Sequence, residues 1–540
     1  MQTRLLARRS LAFLALWIGL SASSGAAFAT ADTQASQALL NPDNRQSLVD
    51  FIEEGRAQWN IPGMAVGIVH NDQLIFAEGF GVIGLEQPDP IDAHTLFGVA
   101  STTKAMTAAT IALLVDEGKL DWDDRVIEHL PYFRLSDPWV TNEVRIRDLL
   151  SHQVGVGRMT GNQIRYMPTA DRETIIRQMQ YHEFEAPFRS RYVYSNVMYS
   201  VAGEIVAAVS GQSWDEFIQA RLFAPLNMQR SNTSITQFSP DDTNIARPHQ
   251  YIDGEIVPIA RRNFDNVGPS ASVNTSIHDM AQWIRLQLGE PGVYAGERLL
   301  SDQVMREMHQ AQITLNRGDR SEPLRAYGLG WTLGDYRGYA TSSHGGATDG
   351  FNTSLTLVPK LDLGIVVITN TFDGYRSAVV NEIIDRIAGL PEYDWRSHFY
   401  DDFQARFEQT MRARDEILNA RQLDTQPSLA IEQMVGRYQD DLYGEIEVTT
   451  DPNGDLMLHF WNDDESLLSL EHWHHDTWLA TYHNRAQREK FVYFSRGPNG
   501  EVEALNVRFT LRPIMTQVGL FPSNYYRDVR FTPADTQGNN

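Results

Sequence analysis

The stretch FGVASTTKAMTAATIALLVDEGKL, residues 97–120, places a serine and a lysine three positions apart where a helical period begins. From Ser101 onward apolar positions recur at helical spacing and stop at Gly118, a residue suited to a helix end. Residues three apart share one helix face, so Lys104 falls beside Ser101 within the first turn. A serine hydroxyl is a poor nucleophile until a neighbour takes its proton. The positive end of the helix dipole disfavours an adjacent ammonium and moves Lys104 toward the amine that can take it. The competing reading makes Ser101 an N-cap and Lys104 a solvated first-turn residue, since S-x-x-K alone is a weak pattern. Composition favours the first reading. Of 46 basic residues only Lys104, Lys119, Lys360 and Lys490 are lysines, and only Lys104 has a serine three residues before it. An exposed cation there could equally have been arginine; a proton acceptor could not, because guanidinium does not deprotonate.

A serine and lysine pair of this kind needs a second polar pair across the cleft and a strand that supplies an oxyanion donor. RYVYSNVMYSVAGEIV (191–206) supplies Tyr194-Ser195-Asn196 just ahead of a helical run. SSHGGATDGFNTSLTLV (342–358) supplies His344-Gly345-Gly346 leading into a strand, and His344 is the only one of fifteen histidines with a glycine two residues on.

Around these motifs, MAVGIVHNDQLIFAEGFGVI (64–83) reads as two strands about a polar turn. From Ser101 to about Gly289 the chain is mostly helical in period, HDMAQWIRLQLG (278–289) included. Strand patterns return at AYGLGWTL (326–333) and at TSLTLVPKLDLGIVVITN (353–370), with a turn at 359–362 and a helix predicted over 374–389. The outline is an α+β domain: a sheet built from both ends, with a helical region inserted between them. DDFQARFEQTMRARDEILNARQ (401–422) reads as a connecting helix and LDTQPS (423–428) as a polar break. The short strands beyond, among them GEIEVTT, DLMLHFW, TWLATYH, EKFVYFS and EALNVRF, argue a small antiparallel barrel or sandwich.

The N-terminus carries arginines at 4, 8 and 9, an apolar run from Leu11 to Leu20 and Ala27-Phe28-Ala29 as a small-x-small site. This predicts a signal peptide, residues 1–29, removed after Ala29, and a periplasmic or secreted protein. About ten apolar residues fall short of the ~20 that span a bilayer, and no later stretch resembles a membrane helix. Sec and twin-arginine routes both stay open. The expected units are then 30–395 for the main domain, 396–428 for helix and linker, and 429–540 for the barrel with its tail. Cysteine is absent, which removes disulfides and thiolate chemistry, and a net charge of -23 argues against nucleic acid as a partner.

Taken together, Ser101-Thr-Thr-Lys104, Tyr194-Ser-Asn196 and His344-Gly-Gly346 resemble the three motifs of the serine beta-lactamase/penicillin-binding-protein superfamily. The Y-x-N form resembles its class C beta-lactamase, DD-carboxypeptidase, D-aminopeptidase and family VIII esterase branch. LLSHQVGVG (149–157) and HGGATDGF (344–351) are similar to that branch too, and the resemblance spans about residues 45–395. It implies a beta-lactamase-like fold, antiparallel sheet flanked by helices, and no cofactor. It also implies roles: Ser101 attacks and carries the acyl group, Lys104 holds or shuttles the proton, and Tyr194 assists as base and protonates the leaving group. Asn196 would bind the substrate amide or orient Lys104, and the backbone N–H groups of Ser101 and Ala347 would form the oxyanion hole. His344, Gly345 and Gly346 would line the substrate, with the imidazole donating a hydrogen bond to it. Residues 429–532 look like the lipocalin-like domain of some members.

One departure bears on substrate. Beta-lactamases of this branch usually carry lysine where this chain has His344; His-Gly-Gly resembles D-aminopeptidases and other peptide hydrolases. The leading expectation is a hydrolase of small peptides, D-residues included, with no metal and with a homo-oligomer left open. A carboxylesterase uses the same residues, and a penicillin-binding or sensor module would acylate without turnover; a weak beta-lactamase and a lipid-binding barrel are further alternatives. His152 reads as a structural hydrogen-bonding residue. Ser272-Val-Asn274 imitates the Tyr194/Asn196 motif with poorer context. His472, His474 and His475, with His459 and His483 nearby, read as a polar strand face before a metal site.

Overall fold

The computed structural model describes residues 41–157, 170–252, 254–315, 324–461, 466–484, 489–508, 515–516, 519–520 and 528–534. The expected signal peptide lies outside the described residues.

Helix α1, Pro42–Gln58, starts where the Asn41 side chain accepts the Asp43 N–H at 3.0 Å and proline occupies the first turn. Strand β1, Gly63–His70, is buried at every position, as its unbroken apolar run requires of a central strand. It turns at Asn71–Asp72, both at positive φ, into β2, Gln73–Gly84. After β3, Gln87–Pro90, the sheet resumes more than two hundred residues later with β4, Ile313–Thr314; β5, Ala326–Tyr327; β6, Thr332–Tyr336; β7, Tyr339–Thr348; β8, Phe351–Val358; and β9, Leu363–Thr369. The spatial order is β4-β5-β6-β7-β8-β9-β1-β2-β3, antiparallel throughout. The join between the two ends of the domain is the β1–β9 ladder, Met64↔Thr369 to His70↔Leu363.

Because side chains alternate along β1, the strand serves two cores. Ala65 and Val69 pack toward the inserted helices, whereas Met64, Val66 and Ile68 pack toward α1 and helix α5, Tyr375–Ala388. The inserted region holds α2, Thr103–Asp116; α3, Val197–Ser210; and α4, Ile277–Gln287. Residues 103–114 of α2 are all buried, so this helix runs through the interior with protein on every side. Gly118, at φ 68°, follows its end.

Beyond α6, Trp395–Asn419, eight strands close into an antiparallel barrel. They are β10, Gly436–Asp440; β11, Gly444–Thr450; β12, Leu456–Phe460; β13, Leu467–His474; β14, Thr477–Tyr482; β15, Lys490–Arg496; β16, Val502–Arg508; and β17, Asp528–Pro533, which pairs with both β16 and β10. Between barrel and sandwich, the barrel is what forms. Tyr438, Val448, Leu458, Phe460, Phe494, Leu505 and Phe531 are among the side chains buried in its apolar core. The clustered histidines are tied into the protein one by one. His459 meets Thr449 at 3.2 Å, His483 meets Ser469 at 2.8 Å, and His475 meets Gln422 at 3.0 Å. Together with Arg421, which donates to the His472 and Trp473 carbonyls, His475 seats the segment after α6 on the barrel.

His309 stacks on Trp331 and lies between the Ser342 hydroxyl, 3.0 Å, and the side-chain oxygen Oε1 of Gln287, 3.1 Å. Burial pushes its pKa down to about 4. The unfolded ring titrates near 6.5, so between those values the unfolded chain binds the extra proton and the fold loses stability as pH falls. The contribution is at most about 3 kcal/mol, less because the ring keeps some exposure. Denaturant titrations of wild type and His309→Gln at pH 7 and pH 4 should show the wild-type advantage shrinking in acid; a constant gap would refute the assignment.

Candidate active site

Ser101 sits on a single 3-10 turn, Ala100–Thr102, that runs directly into α2. Val99 anchors the turn by donating to the Val273 carbonyl at 3.0 Å. Ala100, immediately before the serine, has φ 48°, a left-handed conformation that costs a non-glycine residue about 1 kcal/mol or more. Such strain survives where surrounding structure enforces it, and here it brings Ser101 to the helix mouth.

Lys104 is fully buried one turn further on. Its Nζ donates to Ser101 Oγ at 3.1 Å, to Asn196 Oδ1 at 2.7 Å and to the Ser270 carbonyl at 2.8 Å. These three acceptors are uncharged, so none fixes the ammonium as a carboxylate would. Asn196 and Ser270 occupy two of the tetrahedral directions around the nitrogen, and the third points at Ser101. As ammonium the nitrogen donates along that third direction; as amine it presents a lone pair there. The Tyr194 hydroxyl donates to Ser101 Oγ from the other side at 2.8 Å. The Lys104 nitrogen also lies 4.8 Å from the Tyr194 ring centre.

Tyr194 and Asn196 end the loop that enters α3. His152 shapes this loop. Its Nδ1 accepts the Ser195 N–H at 3.1 Å, its carbonyl accepts the Val193 N–H at 2.9 Å, and its ring lies 4.3 Å from that of Tyr194. The reading of His152 as a structural hydrogen-bonding residue matches these contacts, which also put it directly behind the tyrosine. Tyr199 and Tyr327 complete the wall; burial holds both phenols well above their ordinary range. Tyr192 joins them, 5.3 Å from Tyr327.

Strand β7 passes beside the serine. Its pairing with β6 ends at Thr332↔Ser343, while its pairing with β8 continues to Thr348↔Phe351. Gly345, Gly346 and Ala347 lie in the stretch beyond β6, with Gly345 and Ala347 exposed. Gly346 presses on the turn that carries Ser101: a Cβ there would come within 2.2 Å of the Val99 carbonyl oxygen, so only glycine fits.

The His344 imidazole is buried and engaged at both nitrogens, Nε2 to the Tyr327 hydroxyl at 2.9 Å and Nδ1 to the Gly345 carbonyl at 2.7 Å. By strand alternation His344 shares the buried face of β7 with Ser342, Gly346 and Thr348, while Gly345 and Ala347 face outward. Ser272 and Asn274 lie beside the turn that carries Ser101, where Gly98 pairs with Asn274, and are bonded elsewhere. Ser272 donates to Gly268 O, and Asn274 bonds Asn232 and Arg261. Sequence reasoning missed the Ser270 carbonyl, which has no sequence signature, and Tyr327, which lies in the quoted AYGLGWTL strand. Among the described residues no three His, Asp or Glu side chains are spaced to hold a metal ion.

The model of the Beta-lactamase family matches residues 48–390, and that of a domain of unknown function (DUF3471) matches 420–520. Unguisins hydrolase ungD' of Aspergillus campestris (strain IBT 28561) is 27% identical over 442 residues, 76% of this chain and 79% of that protein. Protein flp of Staphylococcus aureus (strain COL) is 25% identical over 374 residues, 68% and 71% of the two chains. An octameric penicillin-binding protein homologue from Pyrococcus abyssi superposes with TM-score 0.58 at 22% identity, covering 87% of this chain and 99% of its own. A D-stereospecific amidohydrolase from Streptomyces sp. superposes with TM-score 0.52 at 18% identity, covering 66% and 98%.

Proposed function

Since the chain belongs to the beta-lactamase family of serine hydrolases, we propose that it is an exported amidase or peptidase that works through an acyl-enzyme on Ser101 and takes small peptides, D-residues included. The observation that carries this is the closed set of hydrogen bonds in which Lys104 and Tyr194 both meet Ser101 Oγ.

In this mechanism the Lys104 amine, or Tyr194 in phenolate form, accepts the Ser101 proton as Oγ adds to the substrate carbonyl carbon. The carbonyl π pair becomes an oxyanion, received by the N–H groups of Ser101 and Ala347. Support for the second donor comes from ladder geometry. A two-residue hairpin closes on a hydrogen-bonded pair, here Thr348↔Phe351, and alternation then turns Ala347 N–H away from β8, toward the side where β6 has ended. Collapse breaks the C–N bond, and Tyr194 delivers the proton that lets the amine leave. Water then adds to the acyl ester, gives its proton to the same base, and releases the carboxylic acid with Ser101 restored.

The amide preference rests on two features. Tyr194 is positioned as a proton donor, which an amine leaving group requires and an activated ester does not. The third motif supplies no lysine, and its imidazole is held by Tyr327 and Gly345, so a substrate carboxylate finds no fixed cation there. A relative named as an unguisins hydrolase agrees with a hydrolytic activity. Export rests on the leader pattern ending at Ala29.

A purified exported chain, its intact mass expected to begin at Thr30, is profiled against D- and L-amino-acid amides, short peptides, a short-chain ester and a cephalosporin. At least one amide or peptide should exceed the cephalosporin in kcat/KM by about a hundredfold. Cephalosporin as best substrate would overturn the reading. An ester alone would favour the esterase, and an acyl burst without turnover a penicillin-binding module.

A further inference from the structure

The arm that carries Ala347 is the least constrained backbone a strand can offer, two consecutive glycines. Gly346 is pinned sterically against Val99, but a Cβ at Gly345 would meet nothing closer than 3.8 Å, so packing leaves Gly345 loose. The bond to its carbonyl is therefore informative. A carbonyl oxygen only accepts, so His344 Nδ1 carries a proton and donates to Gly345 O at 2.7 Å. At the other end of the same ring, Nε2 meets the Tyr327 hydroxyl at 2.9 Å. In the neutral ring Nε2 accepts from the phenol; in the charged ring it donates to it. Either way one rigid imidazole spans β5 and the Gly345 peptide. Tyr327 itself is immobile: it is 1% exposed, and its ring lies 5.1 Å from His152 and 5.3 Å from Tyr192.

We propose that Tyr327 is a positioning residue for the acyl-transfer reaction: it clamps His344, and through that ring it holds the Gly345–Gly346 arm so that Ala347 N–H faces Ser101. This rests on the reading of Ala347 as an oxyanion donor. It also gives His344 a purpose other than substrate contact. A donor displaced by an ångström loses most of its value to an oxyanion, so the clamp acts on the transition state more than on substrate binding.

The test is a double-mutant cycle on the acylation rate constant, measured with a chromogenic short-chain ester on the full chain. Tyr327→Phe removes one hydroxyl and keeps the ring. In the wild-type background it should lower the acylation rate constant about tenfold with KM nearly unchanged. In the His344→Gln background, where the ring is already gone, the same substitution should change the rate by less than about twofold. Equal loss in both backgrounds, or no loss in wild type, overturns the proposal. Thermal melts identify variants that fail to fold, and a second measurement then decides. The nitrogen-15 spectrum of histidine-labelled wild type, assigned by the peak missing in His344→Gln, should show His344 protonated at Nδ1; a neutral ring protonated only at Nε2 overturns the clamp. Failure of Ser101 to acylate in wild type would instead remove the functional reading, while the spectrum still judges the clamp.

Discussion

Ser101→Ala is expected to abolish covalent labelling by a serine-directed phosphonate and to lower hydrolysis by on the order of 10⁵-fold or more. The reason is structural as well as chemical. Lys104 Nζ and Tyr194 OH converge on one oxygen, and no other hydroxyl has an N–H from Lys104 at 3.1 Å and a phenol at 2.8 Å among the described contacts. With that oxygen gone, base and acid have nothing to act on. Stability should change little, because a partly exposed hydroxyl is lost and the enforced geometry at Ala100 stays. Mass analysis of the labelled peptide decides the matter: a label elsewhere, or one that persists in Ser101→Ala, removes Ser101 from the mechanism.

Lys104→Arg keeps the charge and should still cost about 10³- to 10⁴-fold in kcat. Lys104 has no exposed surface, and its three acceptors, Ser101 Oγ, Asn196 Oδ1 and Ser270 O, are arranged around one tetrahedral nitrogen. A planar guanidinium neither fits that arrangement nor gives up a proton. The complementary variant, Lys104→Ala, opens a cavity into which a small primary amine can diffuse. Partial recovery of activity with added methylamine is the expected result. An arginine variant with activity near wild type would show that the charge, not the proton transfer, is what the site uses.

The serine, lysine and Tyr194/Asn196 pair were legible because each motif is local: three residues along a helix start, and two along the entry to the next. Their convergence needs only that both helices pack together, which their continuous apolar sequences demand. His344 was located on its strand, but the partners of its ring were not foreseen. Adjacent strand residues point to opposite faces, and the alternation of Ser342, His344, Gly346 and Thr348 inward was readable in principle. Its partner Tyr327 was not, since that bond depends on how two strands pair. The barrel was legible as short strands, but GRYQD (436–440) and DVRFTP (528–533) escaped notice because they are polar. Closure between the first and last of these is a pairing nearly a hundred residues apart, which no local pattern reports.

The β1–β9 ladder has a consequence for how the protein is made. Ala65 pairs with Ile368, some 300 residues later in the chain. At about 5–20 residues per second, synthesis leaves β1 without that neighbour for roughly 15–60 s. During this interval the nascent polypeptide displays GMAVGIVH, buried at every position in the finished fold, on a two-stranded ribbon that is marginal alone. The segment combines β-branched residues with almost no charge, the character of a strand that seeks any available edge. Until then the edge of β1 that β9 covers in the finished sheet has no partner strand. A chain that ends before Leu363 lacks β9 and leaves β1 and β8 without the strand that joins them.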